Sequence, residues 1–189
     1  MRKRCARFLP MPRIATLPDS GPDSGPDARP AFGAGPSPDE VGAAPHYRAL
    51  ESLYASAPIN ALFPSRLSIT GPGTARIEFE VDDGVYHAAG AAHGTIYFKM
   101  LDDAAFYAAN SLVSDRFLLT TGFNLHFTAP IRAGRMVAEG RWISGKRRVY
   151  VAEAHLLNEQ NEEIGRGTGT FMRSQIPLSG LPGYVVQGG

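Results

Sequence analysis

The stretch GTIYFKMLDDAAFYAANS, residues 94–111, decides the fold. It shows no strand alternation, is rich in alanine and is apolar on most sides, so it reads as a long helix. A helix that is apolar nearly all round must be enclosed, and a curled antiparallel sheet is the economical enclosure. The flanking sequence supplies the strands. Upstream, RLSIT (66–70) and ARIEFEVDD (75–83) are joined by the turn GPG (71–73), and the second alternates Ile77, Phe79 and Val81 with Arg76, Glu78 and Glu80. Downstream, LLTTGFNLHFTAP (118–130) alternates Phe123, Leu125 and Phe127 with Asn124 and His126 until Pro130 stops the pattern. MVAEGRWIS (136–144), RVYVAEAHLL (148–157) and IGRGTGTFMR (164–173) follow, separated by turn-forming residues. Before all of these, Tyr47, Leu50, Leu53 and Tyr54 fall at helical spacing in a short helix closed by Pro58. The expected class is α+β: a helix, a hairpin, the long helix and then a four-strand antiparallel meander, with about five to six strands wrapped around the long helix.

The chain has 189 residues, 43% hydrophobic and 20% charged, which is enough for one sizeable core. Against 18 acidic residues stand 19 basic ones, so composition argues against a nucleic-acid or membrane-surface partner. Cys5 is the single cysteine, which leaves no intramolecular disulfide or cysteine metal site to expect. No apolar run reaches the roughly 20 residues of a membrane span, and a cytoplasmic location is expected. The opening stretch carries Arg2, Lys3, Arg4, Arg7 and Arg13, as an organelle-targeting peptide would. Its prolines, and the Pro/Gly/Asp/Ser tract at 19–40, favour an unstructured tail instead. The expected division is a tail at 1–45, one domain at 46–175 and an irregular end at 176–189.

Within the long helix Lys99, Asp102, Asp103 and Asn110 interrupt the apolar sequence. At about 100° per residue, Lys99, Asp103 and Asn110 fall within about 40° of one another and form one polar stripe, facing solvent or an interface edge. Asp102 lies about 60° away from Lys99, toward Phe98, Ala105 and Ala109. A carboxylate bordering an apolar face is expensive unless it is hydrogen-bonded or functional, although an aspartate in the first half of a helix also suits the macrodipole. His93-Gly94-Thr95 places backbone N–H groups at the helix start, where an anion or oxyanion is favoured. Gly94 and Asp102 are eight residues apart, or about 12 Å along the axis, so one chain cannot bring both to one carbonyl. Acting together, they require two antiparallel copies of the helix about a two-fold axis.

HAAGAAHGTIYFKMLDDAAFYAANS (87–111) resembles the signature of hotdog-fold acyl-CoA thioesterases of the phenylacetate-pathway, PaaI-like type. That family shows His-Gly-Gly at a helix start, Leu-x-Asp in mid-helix and then small residues. The resemblance extends through FTAP, the RAG and SGK turns and IGRGTGTF, from about Tyr47 to Arg173. It implies an enzyme hydrolysing acyl-CoA, with Asp102 as nucleophile or general base and Gly94 as backbone donor to the thioester carbonyl. His93 would stand beside that carbonyl, and Thr120 would help orient water from across a subunit interface. His87 stands where many relatives have asparagine, and Thr95 replaces the usual second glycine. No cofactor is implied, coenzyme A being part of the substrate, and the expected assembly is a homodimer or a dimer of dimers.

A thioester carbonyl needs a cradle for its developing oxyanion and a carboxylate that attacks it or deprotonates water. Coenzyme A adds phosphates, for which Lys146, Arg147 and Arg148 at the SGKRR turn, with Arg132 and Arg135, are the candidate contacts. The histidines at 46, 87, 93, 126 and 155 lack HExxH spacing, so no metal is expected. No GxSxG elbow surrounds Ser111 or Ser114, and GRGTGT reads as close backbone packing in a strand, not as a phosphate loop. Hydration or dehydration of an acyl thioester, and acyl-CoA binding without turnover, are the competing readings.

Overall fold

The computed structural model describes residues 38–186. The tail expected at 1–45 therefore lies outside the described residues as far as residue 37, and with it the basic opening stretch and Cys5. Helix α1 runs Pro38–Ser56, starting eight residues before the expected His46, and passes through Pro45. Its periodic residues do what the spacing predicts: Leu50 and Tyr54 are buried in the core. A single-turn helix α2, Ile59–Leu62, follows.

Six antiparallel strands follow the expected segments closely: β1 Ser65–Gly71, β2 Thr74–Val81, β3 Arg116–Phe127, β4 Gly134–Lys146, β5 Val149–Leu157 and β6 Glu163–Pro177. The long helix α3, Gly94–Asn110, lies between β2 and β3 in sequence and packs against all six strands. Eleven of its residues, among them Ile96, Tyr97, Met100, Leu101 and every residue from Ala104 to Asn110, are buried. The enclosure predicted from its all-round apolarity is thus present. At Gly140 of β4 the helix comes so close that a Cβ would stand 2.1 Å from the Ala104 carbonyl oxygen. Gly167 likewise makes room for the Phe123 ring, so the glycines of GRGTGT serve packing, as read from the sequence.

The order of strands in the sheet is β1-β2-β4-β5-β6-β3, which corrects the expected four-strand meander. β3 does not pair with its successor β4; it crosses to the far edge and pairs with β6, while β4 pairs with β2. The reason is the helix. After β2 the chain must traverse the concave side of the sheet as α3, and it emerges at the opposite edge, so β4 fills the vacant place beside β2. This leaves two edges. α1 covers that of β1, where Glu51 Oε1 accepts the Ile69 N–H at 2.8 Å. The outer edge of β3 carries exposed Leu119, Thr120, Thr121 and Phe127.

The end expected to be irregular from 176 is partly ordered: Ile176 and Pro177 still belong to β6, a short 3-10 turn spans Leu178–Gly180 and Leu178 is fully buried. The Tyr184 hydroxyl meets His46 Nδ1 at 2.7 Å and so ties this end to α1. Burial lowers the His46 pKa, as fits a neutral ring. No helix among the described residues is long and apolar enough to cross a membrane.

Candidate active site

Asp102 sits in the middle of α3, half-buried, where the helix faces the start of β3. Thr120 Oγ1 donates to its carboxylate, 3.1 Å from Oδ1 and 3.4 Å from Oδ2. A bulge makes this contact possible. On β3, Thr120 pairs with Phe171 and Gly122 with Thr170, leaving Thr121 as the extra residue. Leu118 and Thr120 face the helix before the bulge, and Phe123 and Leu125 face it afterwards, so the parity of the strand changes there. The resemblance put Thr120 across an interface; the structure already brings it to Asp102 within one chain.

The two residues open on a cleft of about 250 Å³ between α1–α2, α3 and β3, walled by Phe106, Tyr107, Phe117 and Leu119. Burial is the main influence on the Asp102 carboxyl and pushes its pKa up to about 6; the Thr120 hydrogen bond pulls down, the neighbouring Asp103 pushes up and Lys99 pulls down. A carboxylate titrating just below neutrality is ionised at physiological pH yet basic enough to take a proton from water.

Asp103, set by its angle toward solvent or an interface edge, lines the same cleft with its side chain 24% exposed. Lys99 Nζ approaches its Oδ2 at 2.5 Å, and the Tyr54 hydroxyl donates to that oxygen at 3.2 Å. Asn110, the third member of the expected stripe, is fully buried. Its side-chain amide donates to the carbonyls of Val113 and Arg116, and its Oδ1 accepts the Leu118 N–H, fixing the turn that carries α3 into β3.

At the other end of the helix His93 is the N-cap residue, its Nδ1 accepting the Thr95 N–H at 3.2 Å and lying 3.0 Å from Thr95 Oγ1. Its carbonyl takes the Ile96 N–H, whereas the Gly94 N–H has no acceptor among the described residues. That leaves one first-turn amide free to meet an oxyanion. His87 is exposed and closes its own loop, accepting the Ala89 N–H on Nδ1 at 3.0 Å. Gly94 and Asp102 stay on their separate turns of α3, as the spacing requires.

The basic residues divide into two groups that one chain does not bring together. Arg132 follows Ile131, whose carbonyl accepts the Ala92 N–H beside the helix start. Lys146, Arg147 and Arg148 are exposed at the β4–β5 turn, at the far end of β4, and the Arg148 carbonyl accepts from Arg173 N–H, opposite Leu118 of β3. Arg135 lies 3.6 Å from Glu78. The described residues contain no group of three or more His, Cys, Asp or Glu side chains placed to hold a metal ion.

From the sequence, Tyr54 falls on the periodic face of α1 and Lys99 on a polar stripe of α3, with no sign that the two meet. The available signals were a hydroxyl on the buried face of a helix, which needs a partner, and a Lys–Asp pair at i,i+4.

Residues 89–164, which include both Gly94 and Asp102, match the family model described as the thioesterase superfamily. The fold is similar to that of the Escherichia coli PaaI protein of the phenylacetic acid degradation operon, with a TM-score of 0.66 and 15% identity over 71% of this chain and 97% of that one. It is also similar to the thioesterase HI1161 of Haemophilus influenzae, with a TM-score of 0.62 and 17% identity over 68% and 90% of the two chains. In sequence, the SSO1253 protein of Saccharolobus solfataricus, provisionally named an esterase, is 24% identical over 100 residues, 53% of this chain and 67% of that protein. The match over residues 89–164 and the sheet wrapped about α3 make this chain similar to the hotdog-fold proteins of the thioesterase superfamily, the PaaI protein among them.

Proposed function

We propose that this protein hydrolyses acyl-CoA thioesters to free acid and coenzyme A, as a homodimer or a dimer of dimers, with Asp102 as its catalytic carboxylate. Thioester hydrolysis is the general activity of the superfamily. The observation that carries the finer reading is the half-buried Asp102 carboxylate, hydrogen-bonded by Thr120 at the mouth of an aromatic-walled cleft. The acyl group lies in that cleft. The thioester carbonyl oxygen points at the Gly94 N–H of a second copy whose helix runs antiparallel, and negative charge developing on it meets the positive end of that helix. Asp102 either takes a proton from water, which adds to the carbonyl carbon, or adds itself and is released by water; in both routes the C–S bond breaks and coenzyme A leaves as thiolate.

The same two-fold axis supports the assignment of the basic residues. It brings Arg132 of one copy to the end where the other offers Lys146, Arg147 and Arg148, and a coenzyme A lying across the interface meets both groups. His93 and Thr95 cap the helix that offers the amide, and His87 shapes the loop before it; these are supporting roles for residues the resemblance put nearer the reaction. No metal or separate cofactor takes part in this proposal, and the expected location is cytoplasmic.

The test is turnover of a panel of aryl and aliphatic acyl-CoAs, read as free thiol. Release of coenzyme A by the wild type, lost in Asp102→Ala, is the expected result. Binding of acyl-CoA without release by any variant or substrate contradicts the proposal, and consumption of an enoyl-CoA double bond without thiol release points to hydration.

A further inference from the structure

Asp103 follows Asp102 directly in sequence and lines the same cleft, but its surroundings are entirely different. Lys99, one turn earlier on α3, places Nζ 2.5 Å from Asp103 Oδ2. Tyr54 reaches in from α1: its hydroxyl donates to Asp103 Oδ2 at 3.2 Å, accepts from Lys99 Nζ at 3.2 Å and lies 2.5 Å from Ser65 Oγ on β1. The ammonium also sits over the Tyr54 ring, 5.0 Å from its centroid.

A lysine–aspartate pair at i,i+4 is ordinarily a solvated feature of a helix surface, worth a few tenths of a kcal/mol. This one is not at the surface. The Lys99 and Asp103 side chains are 12% and 24% exposed, and desolvating two charges costs more than a surface pair returns unless further hydrogen bonds complete the site. Here the hydroxyl of a second helix and the face of its ring complete it. A charged pair held at such expense, within one helical turn of a half-buried carboxylate, has an electrostatic consequence for that carboxylate.

The charges facing Asp102 are few. From α3 they are Lys99, Asp103 and the phenol of Tyr107; from α1, the phenol of Tyr54; from β3, the uncharged Thr120 and Leu119. Burial pushes both phenols above their ordinary range, so neither carries charge near neutrality. Lys99 and Asp103 together sum to zero.

We propose that Lys99 and Asp103, pinned by the Tyr54 hydroxyl, are positioning residues for Asp102: they form a charge-compensated wall that leaves Asp102 as the sole net charge of the cleft and thereby sets the pH range in which it is ionised. The directions of influence agree, because Asp103 pushes the Asp102 carboxyl up and Lys99 pulls it down. The consequence for turnover rests on the proposed catalytic role of Asp102; the electrostatic effect itself does not.

The experiment follows the Asp102 carboxyl directly, by carbon-detected NMR titration of the full chain, with its signal identified by its loss in Asp102→Asn. The same variants are assayed for acyl-CoA hydrolysis across pH. Asp103→Asn keeps the shape of the side chain and leaves the Lys99 charge uncompensated, so the Asp102 midpoint moves down by about one pH unit, and the acid limb of kcat/KM moves with it. Lys99→Met combined with Asp103→Asn restores neutrality and returns the midpoint to near the wild-type value. An Asp103→Asn midpoint that stays in place overturns the proposal, and so does a double variant displaced as far as the single one, which is what a purely structural role produces. Should Asp103→Asn fold poorly, Lys99→Met decides in its place: it leaves the Asp103 charge uncompensated, so the Asp102 midpoint moves up, and a midpoint that stays in place overturns the proposal. The catalytic reading fails separately: full hydrolysis by Asp102→Asn sinks it while leaving the midpoints to stand, whereas unmoved midpoints with an inactive Asp102→Asn sink the compensation alone.

Discussion

Thr120 donates its hydroxyl hydrogen to Asp102 Oδ1 across 3.1 Å, from the last residue of β3 before the extra residue Thr121 breaks the pairing with β6. The bulge turns a strand position that alternation alone would assign elsewhere into the one polar contact from β3 to the helix carboxylate. A hydrogen bond to the ionised form stabilises it, opposing the burial that raises the pKa to about 6.

Thr120→Val keeps the shape and removes the donor. The Asp102 carboxyl then rises further above about 6, so the acid limb of the pH–rate profile moves upward, and the rate at pH 7 falls by about tenfold. A pH profile of coenzyme A release checks this; an unmoved limb shows that the hydroxyl does not reach the working carboxylate.

Asp102 also costs stability. Its folded pKa of about 6 lies above the unfolded 3.8, so the folded state holds the proton more tightly. Below both values the group contributes no difference, and stability falls as pH rises through that window, by at most about 3 kcal/mol before solvent screening reduces it. Asp102→Asn is therefore expected to melt higher than wild type at pH 7.5 and at about the same temperature at pH 3.5, while losing about a thousandfold or more in hydrolysis. Thermal melts at the two pH values measure it; equal melting temperatures at pH 7.5 contradict the cost.

A Cβ at Gly94 would stand 3.1 Å from Phe127 Cζ and 3.2 Å from Cε2. Phe127 is 56% exposed and packs edge-on against Tyr97, so its ring has room to give way. Gly94→Ala accordingly retains the fold, with a melting shift of only a few degrees, but its methyl group intrudes at the helix start, where the proposed function puts the thioester. KM for acyl-CoA rises more than kcat falls. Steady-state kinetics beside a thermal melt separate this from simple unfolding.

Gly140 allows no such adjustment. A methyl group there meets the carbonyl oxygen and carbon of Ala104 at 2.1 and 2.3 Å, and both belong to helix backbone. Gly140→Ala must lift α3 off β4 and is expected to cost about 3 kcal/mol or more, read by denaturant unfolding.

Much of this molecule was legible in its residues because two patterns are strong: a helix apolar all round, and period-two strands around it. Gly94, Asp102 and their separation were legible for the same reason, since helix geometry fixes the distance between them. The crossing of β3 to the far edge was not, because strand order depends on which edge the helix reaches and leaves no local mark. The wall made by Lys99, Asp103 and Tyr54 was not legible, because a polar stripe read as facing solvent or an interface edge does not say that a second helix lies over it. Angle within a helix says which residues share a face; only α1, laid over that face, decides whether the face is wet.

If Gly94 of one copy and Asp102 of the other form one site, as proposed, mixing two inactive variants restores activity. Gly94→Pro removes the amide hydrogen at the first helical position, where proline is tolerated, and Asp102→Asn removes the carboxylate charge. Each variant alone should be inactive. Refolded together in equal amounts, they form mixed dimers with one intact site each, and about a quarter of wild-type turnover should return. Activity no higher than that of the separate variants contradicts the account.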